Sequence, residues 1–202
     1  GLGSITVCVN LSASQLRDTS MIGDLKEILE QTGCEPSWLQ FEITETSMVR
    51  DVESAGTVLA RLRALGIRVA IDDFGTGFSS LSHLRHLPVD VLKIDKAFVA
   101  DIDTGPRRHG ENAGGAAIVS AVIGLARGLG IEVVAEGVEK KAQLDFLAAQ
   151  GCNSAQGYLI CPPLPASELE PWLKAHARPT RRRGVEPAVR ARPRAKARKV
   201  PG

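Results

Sequence analysis

Short apolar runs recur along this chain, each closing on polar or acidic residues, and longer helical patterns separate them. Six runs read as strands: Ile5–Asn10, Leu39–Thr44, Arg68–Asp73, Val89–Asp95, Glu132–Gly137 and Ala155–Ile160. Most lack strict alternation, as expected of strands covered on both faces. Between them, Ser14–Thr32 places Leu16, Leu25, Ile28 and Leu29 on a common face, and Val52–Leu65 does the same with Val58, Leu59, Leu62 and Leu65. Gly66 is a stop signal for the second of these helices. Ala116–Leu129 is rich in branched residues and is followed by Gly130, Lys140–Gln150 ends at Gly151, and Ser167–Ala177 is a last amphipathic pattern. Strands alternating with helices predict a parallel α/β sheet, either open and doubly wound or closed as a barrel. No Gly-x-Gly-x-x-Gly follows the first strand, and polar residues close every strand rather than one switch point. Both features favour a barrel. The hydrophilic stretch Gly105–Gly115 reads as a mobile surface loop.

Composition adds limits. The chain has 202 residues, 44% hydrophobic and 24% charged, enough for one domain with a sizeable core. No apolar run reaches membrane-spanning length and no signal-peptide pattern opens the chain. It begins with Gly1, almost directly in a strand pattern, and reads as a fragment whose upstream part is missing. The domain is expected to be cytoplasmic, with membrane anchoring by upstream segments left open. Cys8, Cys34, Cys152 and Cys161 form no Cys-x-x-Cys pair. Their spacing suggests neither zinc nor a disulfide framework, so free thiols are expected.

The net charge of +2 conceals two regions. Residues 178–202 carry ten Lys or Arg and one Glu, leaving 15 basic and 22 acidic residues, a balance of −7, in 1–177. This Arg/Pro/Ala-rich tail has almost no large apolar residue and is expected to be disordered. It suits contact with anionic surfaces. With one Tyr and two Trp in the chain there is no aromatic-basic platform, so no specific nucleic-acid partner is expected. The domain division is therefore 1–177 and 178–202.

The strand ends carry the candidate chemistry. They hold Asn10, then Glu42 with Glu45, Asp72 with Asp73, Lys93 with Asp95, Glu136 with Glu139, and Gln156. In a barrel these ends converge on one mouth. Each has an ordinary alternative: Asn10 or Thr44 as a helix cap, Glu136 and Glu139 as first-turn acids, Lys93 and Asp95 as ion-pair members. Six such coincidences at the same end argue for a site. Glu42, Asp72, Asp73 and Glu136 would repel one another and raise their pKa values without a counter-charge. One or two Mg2+ or Mn2+ ions relieve this, since oxygen ligands suit them and no Cys or His competes. Paired metals are a recurring solution for phosphodiester cleavage, and Lys93 would orient the nucleophilic water or steady phosphate charge. Asp73-Phe74-Gly75 also spells the kinase magnesium triplet, but no Gly-rich hairpin or His-Arg-Asp segment accompanies it.

Taken in order, Val9-Asn10-Leu11-Ser12, Glu42-Ile43-Thr44-Glu45, Asp72-Asp73-Phe74-Gly75-Thr76-Gly77-Phe78-Ser79-Ser80-Leu81, Leu92-Lys93-Ile94-Asp95, Ala135-Glu136-Gly137-Val138-Glu139 and Gln156-Gly157-Tyr158 resemble the EAL-domain cyclic-di-GMP phosphodiesterases over about residues 1–175. The resemblance implies a modified TIM (β/α)8 barrel, here truncated to about six β/α units, that hydrolyses cyclic di-GMP to linear pGpG with Mg2+ or Mn2+ at a two-metal site. It implies Asn10, Glu42 and Asp72 as ligands of one metal, and Asp72, Asp73 and Glu136 as ligands of the other. Lys93 resembles the lysine that contacts the catalytic water. Glu45 resembles the acid anchoring the Asp-Asp-Phe-Gly-Thr-Gly loop, which couples the site to dimerisation. Glu139 and Gln156 match a further site glutamate and glutamine. A homodimer, and upstream sensor or cyclase domains, are implied partners of the intact domain. The eponymous Glu-Ala-Leu tripeptide, whose Glu is a metal ligand, is absent from the chain. This fragment is therefore expected to hydrolyse weakly or not at all, and a cyclic-di-GMP receptor or protein-interaction module is the alternative.

Overall fold

The computed structural model describes residues 5–18, 20–49, 52–75, 84–102 and 114–176. Residues 178–202, most of Gly105–Gly115, and the Thr76–Leu81 part of the glycine loop lie outside the described residues. Among the described residues there are six strands: β1 (Val7–Asn10), β2 (Leu39–Thr44), β3 (Arg68–Phe74), β4 (Val91–Ile94), β5 (Glu132–Ala135) and β6 (Ser154–Ala155). All neighbours pair in parallel, in the order β1-β2-β3-β4-β5-β6. Strand order equals chain order, with no reversal. That is barrel winding, since a doubly wound sheet reverses at a switch point. The described helices are α1 (Met21–Thr32), α2 (Glu45–Val49), α3 (Val52–Ala64), α4 (Lys96–Ala100), α5 (Gly114–Leu129), α6 (Lys141–Gln150) and α7 (Ala166–His176).

The core lies between the sheet and its helices. Val69 and Ile71 of β3, Leu92 and Ile94 of β4, Leu59 and Leu62 of α3, and Val119 and Ala126 of α5 are all fully buried. Strand alternation sends Val69, Ile71, Leu92 and Ile94 toward the helices, and Ala70, Asp72, Val91 and Lys93 to the other face. Each fully buried aliphatic side chain contributes about 1.5–3 kcal/mol relative to exposure. β1 forms one edge of the sheet, and its Val7 and Val9 are exposed.

Three predicted elements differ. Of the run Ala155–Ile160 only Ala155 pairs, together with Ser154 before it. Beyond it the chain folds back on the β5–α6 loop: the Gln156 carbonyl accepts from Val138 N–H at 3.0 Å, and Leu159 N–H donates to Val138 O at 3.0 Å. A Cβ on Gly157 would lie 2.2 Å from the Val138 carbonyl oxygen, so this approach requires glycine. The predicted helix Ser14–Thr32 is a 3-10 turn at Gln15–Arg17 followed by α1. Asp18 between them is extended, and its carboxylate accepts from the Ser20 N–H and hydroxyl at 2.9 and 2.8 Å. Gly114 and Gly115, assigned to a loop from sequence, open α5. A Cβ on Gly115 would sit 2.5 Å from Asp101 Cβ, so glycine lets α5 start tight against α4.

All four cysteines are free. Burial holds the Cys152 thiol above its usual range, and its Sγ contacts the Ser154 carbonyl at 3.2 Å. A raised thiol stays protonated and unreactive. Iodoacetamide at mildly alkaline pH should spare Cys152 in the native protein and label it in urea, as read by peptide mass spectrometry. Equal labelling in both states would contradict this burial.

Candidate active site

The two ends of the sheet treat charge differently. At the N-terminal ends of the strands, Arg63 pairs with Asp90 at 2.9 Å and Arg68 with Glu132 at 2.5 Å. These are one-to-one pairs on the surface, of little energetic weight. At the C-terminal ends one buried ammonium serves three carboxylates. Lys93 Nζ lies 2.6 Å from Glu42, 2.9 Å from Asp72 and 2.6 Å from Glu136. The Lys93 side chain is 7% exposed.

Backbone register builds this convergence. Glu42 is near the end of β2, in register with Asn10 on β1; Thr44 of β2 is in register with Asp72 on β3; Lys93 of β4 is in register with Val134 on β5. Glu136 follows β5 directly and its N–H donates to Ile94 O at 3.1 Å. At Asp73 the backbone turns left-handed, with φ 54°, and the β3–β4 register shifts between Ile71 and Phe74. One ligand atom each of Asp72, Asp73 and Glu136 lies within 4.8 Å of the others.

The electrostatics follow from this crowding. Burial would lower the Lys93 pKa, but its hydrogen bonds to Glu136, Glu42 and Asp72 outweigh that and hold the ammonium well above its usual range. Burial raises the Glu136 carboxyl, and Lys93 only partly offsets it. Asp73 is raised by burial, then by a hydrogen bond shared with Asp95 and by the charge of Asp72. Among the described residues the cluster brings one ammonium to four carboxylates, Glu42, Asp72, Asp73 and Glu136.

Supporting contacts are specific. Glu45, 2% exposed at the start of α2, accepts from the Gly75 N–H at 2.9 Å. Gln156 Nε2 donates to Glu136 Oε1 at 2.8 Å. Asp95 caps α4 by accepting from Ala97 N–H at 2.7 Å. Asn10 closes the edge strand, is exposed, and makes no side-chain hydrogen bond among the described residues. Glu139 is exposed, and its carboxylate makes no ion pair among the described residues. Of the nine residues to which the resemblance gave a site role, the structure thus gathers Glu42, Asp72, Asp73, Lys93, Glu136 and Gln156 at one point. It ties Glu45 to the Gly75 backbone, puts Asn10 on the edge strand in register with Glu42 with its side chain exposed, and leaves Glu139 exposed.

Sequence reading missed two buried glutamines. Gln40, 6% exposed, lies one inward-facing position below Glu42 and donates to its Oε1 at 3.4 Å. Gln143, 3% exposed, begins α6. A signal for Gln143 existed: Gln three residues after the helix cap is half of a capping box. Beside Glu136 and Gln156 opens a cavity of about 520 Å3 lined by Tyr158, Leu164, Leu169 and Trp172. Trp172 stacks on His176 with ring centroids 4.3 Å apart.

The donor set suits a hard divalent cation. It is all oxygen, it is under-neutralised, and an ammonium already sits where three carboxylates converge.

Comparison with known proteins points the same way. Residues 2–163 match the EAL domain family. The chain is 41% identical over 172 residues to the cyclic di-GMP phosphodiesterase NbdA of Pseudomonas aeruginosa, covering 85% of this chain and 21% of that protein. The EAL domain of Mycobacterium smegmatis DcpA superposes with a TM-score of 0.76 at 40% identity, over 87% of this chain and 75% of that one. Klebsiella pneumoniae BlrP1, solved as a manganese and cyclic di-GMP complex, superposes with a TM-score of 0.70 at 34% identity, over 80% of this chain and 40% of that one. The chain spans about a fifth of the length of the curated relatives it matches.

Proposed function

The chain belongs to the EAL domain family, and from that premise we propose that the domain it helps build hydrolyses cyclic di-GMP to linear pGpG with Mg2+ or Mn2+. The observation that carries this reading is the under-neutralised cluster of Glu42, Asp72, Asp73 and Glu136 around Lys93. The relative NbdA, named a cyclic di-GMP phosphodiesterase, and the manganese complex of BlrP1 support it.

In this reading Asn10, Glu42 and Asp72 hold one cation, and Asp72, Asp73 and Glu136 hold the other. When bound, such cations supply positive charge for the phosphate oxygens and lower the pKa of a coordinated water. Lys93 then donates to the attacking water or a phosphate oxygen, since its ammonium stays charged throughout the useful pH range. Water adds across one P–O bond: its hydroxyl goes to phosphorus and its proton to the released ribose oxygen. Gln156 orients Glu136, Glu45 fixes the backbone at Gly75, and Glu139 acts from the rim. The apolar and aromatic cavity beside Glu136 seats one purine base. Homodimerisation, upstream sensor or cyclase domains, and the division into 1–177 and a basic 178–202 tail belong to the same proposal. Among the described residues no helix is long and apolar enough to cross a membrane.

The test is release of pGpG from cyclic di-GMP by the full-length protein with Mn2+, abolished by chelation. Binding without release would replace this reading with a receptor. The 202-residue chain, which contains no Glu-Ala-Leu tripeptide, is expected to turn over weakly by itself. Trp172→Ala should raise KM about tenfold with little change in kcat, because stacking on an aromatic face contributes about 1–3 kcal/mol per base. An unchanged KM would remove the base from this cavity.

A further inference from the structure

Gln143 sits on the first turn of α6, away from the carboxylate cluster, with its side chain buried at 3% exposure. Its Oε1 accepts from the Glu139 N–H at 3.0 Å and from the Lys140 N–H at 2.9 Å. Its Nε2 donates to the Val99 carbonyl at 3.0 Å. All three partners are backbone groups. Two belong to the loop that carries Glu136, and the third to α4, which continues directly from the strand bearing Lys93.

We propose that Gln143 is a positioning residue for the acidic cluster: its amide clamps the 136–140 loop to α4 and so holds the Glu136 carboxylate in reach of Asp72, Asp73 and Lys93. This rests on the reading that the cluster binds divalent cations. The loop is fastened at its start by Glu136 N–H to Ile94 O at 3.1 Å, and at its end by Gln143. Both anchors lie on the same β4–α4 unit. Between them, Val138 is fully buried and its N–H donates to Gln156 O at 3.0 Å. With both ends tied to the unit that carries Lys93, the position of Glu136 relative to that ammonium is fixed by backbone hydrogen bonds. Without Gln143 the loop keeps its tie at Glu136 and the contacts of Val138 and Glu136 with the Gln156–Leu159 segment, but its 139–140 end loses the bridge to α4.

Only an amide meets the requirement. It accepts twice through oxygen and donates through nitrogen. A carboxylate at this place keeps the acceptor but faces the Val99 carbonyl with no proton to donate. A thioether offers neither. A residue that merely capped α6 would, when replaced, lower the melting temperature and leave the cation affinity of the folded protein alone. A clamp on Glu136 changes that affinity.

The experiment titrates Mn2+ by electron paramagnetic resonance into the wild-type chain, Gln143→Met, Gln143→Glu and Glu136→Gln, each shown to be folded by circular dichroism. Gln143→Met is expected to weaken binding of the Mn2+ held by Glu136 by about 10–100-fold, the range found when groups behind metal ligands are removed. Gln143→Glu should show a smaller loss, and carries the test alone if the Met variant does not fold. Mn2+ affinities of the Gln143 variants within about twofold of wild type, well below that range, would overturn the proposal even if both melt earlier. Glu136→Gln separates the two layers of the argument. If it weakens Mn2+ binding and the Gln143 variants do not, the clamp alone is wrong. If it too leaves binding unchanged, the cation reading of the cluster fails and the clamp falls with it.

Discussion

Asp72→Asn is expected to reduce turnover of cyclic di-GMP by about a thousandfold or more, a loss of about 4 kcal/mol of transition-state stabilisation. Asp72 is 2.9 Å from Lys93 and also belongs to the group formed with Asp73 and Glu136. It is the carboxylate that the proposed function assigns to both cations, so neutralising it weakens both at once. Asparagine keeps the shape and one oxygen, which separates loss of charge from loss of packing. The metal-free fold should hardly notice, because removing one acid from an under-neutralised cluster relieves repulsion as well as losing an ion pair. Melting temperature, Mn2+ affinity and steady-state turnover are the three readouts. Turnover within tenfold of wild type would remove Asp72 from the centre of the site.

Lys93→Met should show the opposite balance between stability and metal. With no cation bound, it leaves Glu42, Asp72 and Glu136 crowded and largely buried without their shared partner. Removing one partner of a buried ion pair typically costs about 3–5 kcal/mol. For a chain of this size that corresponds to a fall of about 10 °C in melting temperature. Mn2+ should then raise the melting temperature of the variant more than that of wild type, because it takes over a counter-charge the wild type already has. Turnover should stay depressed by about 10²–10⁴-fold even at saturating Mn2+, the usual scale for losing a proton-handling or charge-steadying side chain. A metal-free melting temperature equal to wild type would show that the three ion pairs hold no buried charge in place.

The architecture was legible because each strand is short, apolar and bounded by helix periodicity, and because the polar residues fall at one end. The paired strands lie within the predicted runs, allowing two further residues, Phe74 on β3 and Ser154 on β6. The Ala155–Ile160 run misled for a local reason: Tyr158, Leu159 and Ile160 are exposed, and Gly157 turns the chain onto Val138. The residue types at the site were legible too, but not their arrangement. Sequence placed Lys93 near the acids without showing that it touches three of them. It made Glu136 a metal ligand and Glu139 a further site glutamate; the structure turns Glu136 onto Lys93 and leaves Glu139 exposed. Gln40 and Gln143 stayed hidden because a glutamine in a strand or on a helix is unremarkable until its burial is known. Gln40 acts through the Cys8 and Glu42 side chains and Gln143 through the Val99 carbonyl as well as its own helix entry, and no periodicity records such contacts.

The left-handed residue at Asp73 has a consequence for how the site is assembled. In a regular strand consecutive side chains point to opposite faces, so neighbouring acids could not serve one point. The φ of 54° at Asp73 breaks that alternation and, in the proposed reading, lets two adjacent residues close a short chelate ring on one cation. Closing such a ring costs almost no loop entropy, whereas recruiting Glu136 requires two further strands to be in place. In the proposed reading, two of the five ligand residues are thus encoded in one dipeptide, and Glu136 joins them only once β4 and β5 have paired, so Mn2+ affinity reports whether that part of the sheet is in place.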